Sequence, residues 1–367
     1  AQARLLVVGA SARAAAASAH RAGFEVSAID LFGDADLRQW AHVEVCPASD
    51  YPGRLVELAS HLPPSPFCYV GGLENSPQVI ATLATQRPLF GNPPSVLARC
   101  RDPVSLVDAA IRSGLPVAAV RRQPPANGQW LWKPLDSCGG QHIRPARPAS
   151  REPSRPGVYQ KLVEGPAYSG AYLATPHESR LLAVCRQFTV SDFGCGHSPH
   201  PFGFAASNGP LVLPAAAMRH WAEMGAKLRM EFGLRGVFGV ETIWPDPGLP
   251  PTIVELNPRF TASMELVDLS RAGLAGPSDS VLGLHSACFE SSAPWPKNAE
   301  QPPGDALAPV DAGAIALFGK TVLYAPAKIW LDNERLMRLG EVLQPHEFFA
   351  DVPRVPQRIP SGQPVLT

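Results

Sequence analysis

Two neighbouring apolar segments that carry acidic residues constrain this chain more than any other feature. Residues 236–241 (GVFGVE) and 252–259 (TIVELNPR) each alternate like a strand, and the Pro- and Gly-rich residues between them predict a hairpin loop. If the strands pair, Glu241 faces Glu255 and Asn257, which lie two residues apart and project from the same face of the sheet. Two carboxylates and an amide oxygen would then converge on one point.

Such a cluster has two interpretations. Carboxylate and amide oxygens are hard ligands that suit Mg²⁺, which commonly binds one or two carboxylates together with substrate phosphates. Arg259, further along the same segment, could then meet a phosphate in bidentate fashion. The alternative is a polar rim on an edge hairpin. Because Glu255 lies inside an apolar strand, where an unpaired carboxylate is costly to bury, the metal site is favoured.

The composition excludes several classes of protein. The chain has 367 residues, 45% of them hydrophobic, and no net charge, which is enough for two or three domains with sizeable cores. Balanced charge argues against a nucleic-acid-binding protein, and the apolar stretches are too short for a membrane span. Seven cysteines without CxxC pairs fit reduced thiols. A cytoplasmic protein without a secretion signal is therefore expected.

The first hundred residues predict a doubly wound α/β domain. Apolar runs at 4–8 and 24–29 flank a helix, an arrangement shared with dinucleotide-binding domains. The segment after the first run, GASARA, has only one of the three glycines of the dinucleotide motif, so a domain without a dinucleotide is favoured. Gly72, Glu74 and Asn75 follow a later strand end, where open α/β sheets bind ligands. They are candidates for substrate contact, with a plain turn as the alternative.

A lysine-bearing strand and a glycine-containing loop come next. Lys133 lies in the strand WLWKP, and the loop DSCGGQH that follows contains Ser137, Gly139 and Gly140. Loop N–H groups and a lysine can together hold a polyphosphate. A Gly-Gly hairpin turn has the same pattern, and the motif GxxxxGK[ST] is absent, so both interpretations stay open.

Three further segments lead from this loop to the acidic hairpin. Residues 158–165 (VYQKLVEG) predict a strand that acts as a hinge between two sheets, with Gln160 able to bond to an adenine amino group. Residues 192–209 predict an irregular substrate loop. Residues 214–232 predict an amphipathic helix that leads into the hairpin.

In this order, the lysine strand, glycine loop, hinge strand, long helix, acidic strand and E-x-N-P-R motif resemble the ATP-grasp superfamily over roughly residues 95–290. The segment NPRFTASMEL looks like the branch of carboxylate–amine ligases that includes tyramine–glutamate ligase. The C-terminal sequences GKTVLYAP and FADVPRVPQRIPSGQPVLT resemble ATP-grasp proteins of methanopterin and methylofuran pathways in methylotrophs.

The resemblance implies an α/β protein of the α+β ATP-grasp type with four parts. These are an N-terminal doubly wound pre-ATP-grasp domain (1–94), two α+β subdomains that grip ATP, and a small β-rich C-terminal segment (301–367). The small subdomain with the phosphate loop spans 95–165, and the large subdomain with the metal site spans 166–300.

The resemblance also assigns roles to residues that match the family's motifs. The residues expected to bind ATP are Lys133, Ser137, Gly139, Gly140, Gln160, Lys161 and Val163. Those expected to hold Mg²⁺ or Mn²⁺ are Glu241, Glu255 and Asn257. The catalytic residues implied are Arg259, near the transferred phosphoryl group, and Lys133.

The implied function is an ATP- and Mg-dependent ligase that joins a carboxylate, such as glutamate, to an amine through an acyl phosphate. Cofactor biosynthesis in the methylofuran or tetrahydromethanopterin pathways is the implied setting, with small-molecule partners and a homodimer as the expected assembly. Two alternatives stay open: a carboxylase that uses bicarbonate, and a non-catalytic binding subunit. The latter is prompted by Ala167 and Pro103, which replace a ribose-binding glutamate and a second nucleotide lysine of the family.

Overall fold

The structure, a computed structural model, describes residues 2–146, 155–194, 200–272, 280–290, 317–343 and 349–367. The N-terminal part is the α/β domain predicted from the sequence. Its elements are β1 (Arg4–Val8), α1 (Arg13–Arg21), β2 (Glu25–Asp30), α2 (Leu37–Trp40), β3 (Ala41–Val45), α3 (Leu55–Ser60), β4 (Phe67–Tyr69) and α4 (Pro77–Gln86). In this described part the strands pair in parallel in the order β3-β2-β1-β4. The central strand β1 is apolar along most of its length because both faces of a parallel sheet are covered.

A small antiparallel sheet and two helices follow. These elements are α5 (Pro94–Arg101), α6 (Pro103–Arg112), β5 (Val120–Arg121), β6 (Trp130–Pro134), β7 (Arg144–Pro145) and β8 (Gly157–Lys161). The strands pair in the order β5-β8-β6-β7 within the described residues. The Asp102 side chain accepts bonds from the N–H groups of Val104 and Ser105, and Pro103 occupies the first turn of α6. Asp102 and Pro103 therefore form the start of a helix.

The large sheet carries the acidic hairpin. Its elements are β9 (Ala167–Ala174), β10 (Ser179–Thr189), β11 (Phe204–Gly209), α7 (Ala215–Phe232), β12 (Gly236–Ile243), β13 (Thr252–Asn257), α8 (Met264–Ala272), α9 (Val281–Glu290) and β14 (Phe318–Thr321). Across the described residues the strand order is β13-β12-β9-β10-β11-β14. The expected irregular loop over 192–209 is wrong for residues 204–209, which form β11. Alanine and asparagine are poor strand formers, so pairing with both neighbours decides the structure there.

The C-terminal residues form two short antiparallel strand pairs and a helix. These elements are β15 (Leu323–Tyr324), β16 (Ile329–Leu331), α10 (Asn333–Leu343), β17 (Gln357–Ile359) and β18 (Pro364–Leu366), with β15 paired to β18 and β16 to β17. Asp351 joins this segment to the N-terminal domain by accepting a bond from Arg13 Nε at 3.0 Å. None of the helices in the described parts of the chain has the length and apolar character that a membrane span requires.

Packing on the two faces of the large sheet brings the hairpin close to the N-terminal domain. On one face Trp221 and Phe232 of α7 pack with Tyr172 and Phe238, all fully or almost fully buried. The other face packs against α8, α9 and α1 in a second core cluster. Each such large apolar side chain contributes about 1.5–3 kcal/mol when it is removed from water. Tyr69 at the end of β4 also donates to the carbonyl of Pro258 at 3.1 Å, so the parallel sheet directly supports the end of the hairpin.

His285 of α9 is buried where these parts meet. Its Nδ1 accepts a bond from the Val237 N–H at 2.9 Å, and its Nε2 lies 3.0 Å from the Phe90 carbonyl oxygen. A neutral ring protonated on Nε2 satisfies both contacts. Burial lowers the pKa of His285 from 6.5 to about 4.

Acidification is therefore expected to lower the free energy of unfolding by about 3 kcal/mol through His285. The folded pKa lies below the unfolded value, so the contribution is complete above pH 6.5 and is lost as the pH falls through 4. His285→Gln can keep both bonds without titrating, and it should flatten the pH dependence of urea unfolding between pH 4 and 6.5. The exposed His61→Gln is the matched control. An unchanged slope in His285→Gln would show that another group is responsible.

Candidate active site

The acidic hairpin forms as the sequence predicts. In the register of β12 and β13, Glu241 is paired with Glu255, and Asn257 is paired with Gly239. Residues in register on adjacent strands project from the same face, so the two carboxylates lie side by side. A bulge follows Glu241, and bulges of this kind often redirect a side chain next to an active site.

Glu241 is the less compensated of the two carboxylates. One of its oxygens accepts a bond from Ser169 Oγ at 3.1 Å, whereas Oε2 is buried without a hydrogen-bond partner in the described part of the chain. Burial and the neighbouring charge of Glu255 raise the pKa of Glu241 to about 8. A buried oxygen of this kind is costly unless a donor or a cation satisfies it. The residues at this position therefore fit a hard divalent cation.

Glu255 is instead surrounded by positive charge. Arg101 Nη1 lies 2.9 Å from Oε1, and Lys133 Nζ lies 3.9 Å from Oε2. Burial alone would raise the pKa of Glu255, but the charges of Lys133 and Arg101 lower it below its ordinary value. The pair is therefore asymmetric, with Glu255 as the charged member and Glu241 as the protonated one near neutral pH.

Arg259 is held between three parts of the molecule. Its Nε donates to Glu74 Oε1 at 2.6 Å, and its Nη2 donates to Asn257 Oδ1 at 3.2 Å and to Cys138 Sγ at 3.7 Å. Burial alone would lower the pKa of Arg259, but Glu74 raises it above the ordinary value. Glu74, a candidate for substrate contact from the sequence, is buried against Arg259. It therefore supports the hairpin from the N-terminal domain.

The glycine loop closes against the turn that leads into β11. Gly139 and Gly140 have φ angles of +61° and +74°, which favour glycine. The carbonyl of Gly139 accepts a bond from the Phe204 N–H at 3.0 Å. A Cβ atom on Gly140 would lie 2.0 Å from the Phe202 carbonyl oxygen. The close approach therefore requires glycine at position 140.

The hinge strand places Gln160 beside the lysine. Gln160 Oε1 accepts a bond from Lys133 Nζ at 3.2 Å, and its Nε2 donates to the Val254 carbonyl at 3.0 Å. Burial lowers the pKa of Lys133 despite the opposing effect of Glu255. The amide of Gln160 therefore links β8 to β13, and its contact with an adenine stays a prediction.

A cavity of about 670 Å³ connects the hinge, the hairpin and the N-terminal domain. This volume lies in the usual range for small-molecule sites. A second cavity of about 50 Å³ lies between Arg101, Lys133 and Ser137. The predicted residues that line the larger cavity are Lys133, Gly139, Gly140, Gln160, Lys161, Val163, Glu241, Glu255, Asn257 and Arg259.

Few side chains in this cavity could act as ligands to a metal ion. Within the described ranges no three His, Cys, Asp or Glu side chains converge as metal ligands. Glu241, Glu255 and the amide oxygen of Asn257 are thus the available donors. That small set suits Mg²⁺, which commonly uses one or two carboxylates and completes its shell with water and phosphate oxygens.

Residues 112–263 match the family model described as an ATP-grasp domain. The structure of N5-carboxyaminoimidazole ribonucleotide synthetase from Thermus thermophilus superposes with a TM-score of 0.67 at 13% identity, covering 99% of this chain and 92% of that one. The protein has an ATP-grasp fold.

Two further solved structures superpose on this chain. The biotin carboxylase domain dimer of 2-oxoglutarate carboxylase from Hydrogenobacter thermophilus, solved with MgADP, ADP and bicarbonate, has a TM-score of 0.65 at 14% identity and covers 100% of this chain and 83% of that one. Biotin carboxylase from Campylobacter jejuni, in its β,γ-ATP complex, has a TM-score of 0.61 at 12% identity and covers 79% of this chain and 72% of that one. No curated protein matches the chain. At these identities the likeness concerns the fold.

Arg101 is one site residue that sequence reasoning missed. It is the last residue of α5, outside the matched ATP-grasp domain, and it reaches Glu255 across 154 positions of sequence. The available signal was its position next to Asp102 and Pro103, where the resemblance described above leads one to expect a lysine.

Proposed function

We propose that this protein is an ATP- and Mg-dependent ligase that joins a carboxylate to an amine through an acyl phosphate. The observation that carries the proposal is the pairing of Glu241 with Glu255 at one end of a cavity that also contains Lys133 and the glycine loop. This cavity combines a two-carboxylate metal site with cations for phosphates. A bound Mg²⁺ supplies Lewis-acid neutralisation of phosphoryl charge.

The chemistry needs positioning and charge compensation from the chain. A substrate carboxylate oxygen attacks the γ-phosphorus, the bond to the β,γ-bridging oxygen breaks, and ADP leaves. Arg259, held by Glu74, is placed to neutralise charge on the transferred phosphoryl group. The amine nitrogen then attacks the acyl carbon, phosphate leaves, and the nitrogen loses a proton. Closure of the glycine loop against residues 202–204 excludes water, which would otherwise hydrolyse the acyl phosphate.

The substrates are proposed by resemblance. The segment NPRFTASMEL supports the carboxylate–amine branch with glutamate as one substrate, and the C-terminal sequence supports a role in methylofuran or tetrahydromethanopterin biosynthesis. A carboxylase is the second candidate, since two of the similar structures are biotin carboxylases and one was solved with bicarbonate. In that case bicarbonate takes the place of the carboxylate and gives carboxyphosphate.

An ADP-release screen separates these functions. The purified chain is supplied with ATP and glutamate plus a panel of amines that includes tyramine and pterin and furan precursors. Parallel reactions contain bicarbonate alone, or omit Mg²⁺. We expect ADP release that requires Mg²⁺, the acid and one amine together, with an amide product detected by mass spectrometry.

The other outcomes are equally informative. ADP release that depends on bicarbonate and not on the amine supports the carboxylase. A folded protein that binds ADP but releases none from ATP with any pair contradicts the ligase and supports a binding subunit, as Ala167 and Pro103 would allow.

A further inference from the structure

Position 103 has no side chain that could bind phosphate. Asp102 caps α6 by accepting bonds from the N–H groups of Val104 and Ser105, both at 3.3 Å, and Pro103 forms the first turn of that helix. Proline at this position supports the helix start. Pro103 therefore contributes no positive charge to this end of the cavity. A second cation beside Lys133 has to come from another residue.

Arg101 supplies a cation at that end. Its guanidinium spans from Glu255 Oε1, 2.9 Å from Nη1, to the first residues of the glycine loop. There, Nη2 donates to the carbonyls of Ser137 at 3.1 Å and of Leu135 at 3.3 Å. The side chain is mostly buried, and its Nε has no acceptor among the described residues. A buried donor without a partner points to a ligand that would accept its hydrogen bond.

The charges at this point favour an anion. Arg101 and Lys133 both approach Glu255, so two cationic side chains face one carboxylate. Both cations also line the 50 Å³ cavity beside Ser137 and Gly140.

We propose that Arg101 binds the polyphosphate of the nucleotide beside Lys133. This inference rests on the proposed function. The guanidinium donates to phosphate oxygens on one side and holds the glycine loop through Ser137 on the other. It thereby connects closure of the loop to the presence of the phosphates.

The test compares ADP with adenosine, which lacks the phosphates. Calorimetry in the presence of Mg²⁺ measures the affinity of each for the wild type and for Arg101→Ala, Arg101→Gln and Arg99→Ala. We expect the two Arg101 variants to bind ADP about 10- to 100-fold more weakly, since charged hydrogen bonds are lost, with adenosine affinity unchanged. Arg99 lies on the same helix and bonds to the Glu231 carbonyl, away from the cavity, so its variant should bind both as the wild type does.

Three results would overturn the inference. Wild-type ADP affinity in both Arg101 variants overturns it while leaving the proposed function intact. An equal loss of ADP and adenosine affinity shows a purely structural role for Arg101. A wild-type protein that binds no nucleotide overturns the proposed function together with this assignment. If the alanine variant is unstable, Arg101→Gln decides, because glutamine keeps a donor for the loop carbonyls without the charge.

Discussion

Glu241→Gln is expected to lower Mg-dependent ADP release by at least about 100-fold without lowering the thermal stability of the protein. Glutamine keeps an oxygen that can accept the bond from Ser169, which lies 3.1 Å away in the native protein. It removes the negative charge that the proposed metal site needs. The substitution should therefore reduce activity without reducing the thermal stability of the protein.

The difference in stability between the wild type and this variant has a defined pH dependence. The folded pKa of Glu241 is about 8, above the ordinary value of 4.5, because of burial and the charge of Glu255. The stabilisation by the protonated carboxyl is complete below pH 4.5 and is lost as the pH rises through 8. Without Mg²⁺, Glu241→Gln should thus melt at a higher temperature than the wild type above pH 8.

Melting curves with and without MgADP, alongside ADP release, check both halves of this prediction. MgADP should raise the melting temperature of the wild type much more than that of Glu241→Gln. The control is Glu178→Gln, an exposed carboxylate in the turn between β9 and β10 at the far end of the strands. Full Mg-dependent activity in Glu241→Gln would contradict the placement of the metal.

The local parts of this site could be predicted from the sequence. Strand alternation and turn residues are enough to pair Glu241 with Glu255, because register in a hairpin follows from the positions of its strands and turn. The positive φ angles at Gly139 and Gly140 follow from the Gly-Gly pair in the same way. These features depend on residues close in sequence.

Contacts between distant segments could not be predicted. Arg101 meets Glu255 across 154 positions, and Glu74 meets Arg259 across 185. No periodicity in a single sequence links such positions, since tertiary packing decides which side chains meet. For the same reason β11 could not be predicted, because pairing with its neighbours β10 and β14 specifies this strand. The sequence therefore predicts the acidic hairpin better than it predicts the residues that hold the hairpin in place.

Gly140→Ala is expected to reduce kcat/KM for ATP by about 100-fold or more, since small displacements of positioning groups have effects of that size. The glycine loop reaches the lead-in to β11 so closely that a Cβ on Gly140 would lie 2.0 Å from the carbonyl oxygen of Phe202. That atom belongs to the backbone and cannot rotate away. The loop would have to withdraw, and water would enter the cavity.

Gly139→Ala is a closely matched control for this change. Gly139 also has a positive φ angle, +61° against +74° for Gly140, so alanine costs about 1–2 kcal/mol of backbone strain at either position. A Cβ on Gly139, however, meets nothing within 4 Å. The difference between the two variants therefore isolates the contact with Phe202 from the strain of the backbone.

The measurement is the ratio of ADP released to product formed in each variant. Gly140→Ala should release several ADP molecules per product, because an open loop lets water hydrolyse the acyl phosphate. Gly139→Ala should stay close to one ADP per product and lose at most about 5- to 30-fold in kcat/KM, the range that about 1–2 kcal/mol of strain corresponds to. Equal behaviour of the two variants would show that contact between the glycine loop and residues 202–204 has no part in sealing the cavity.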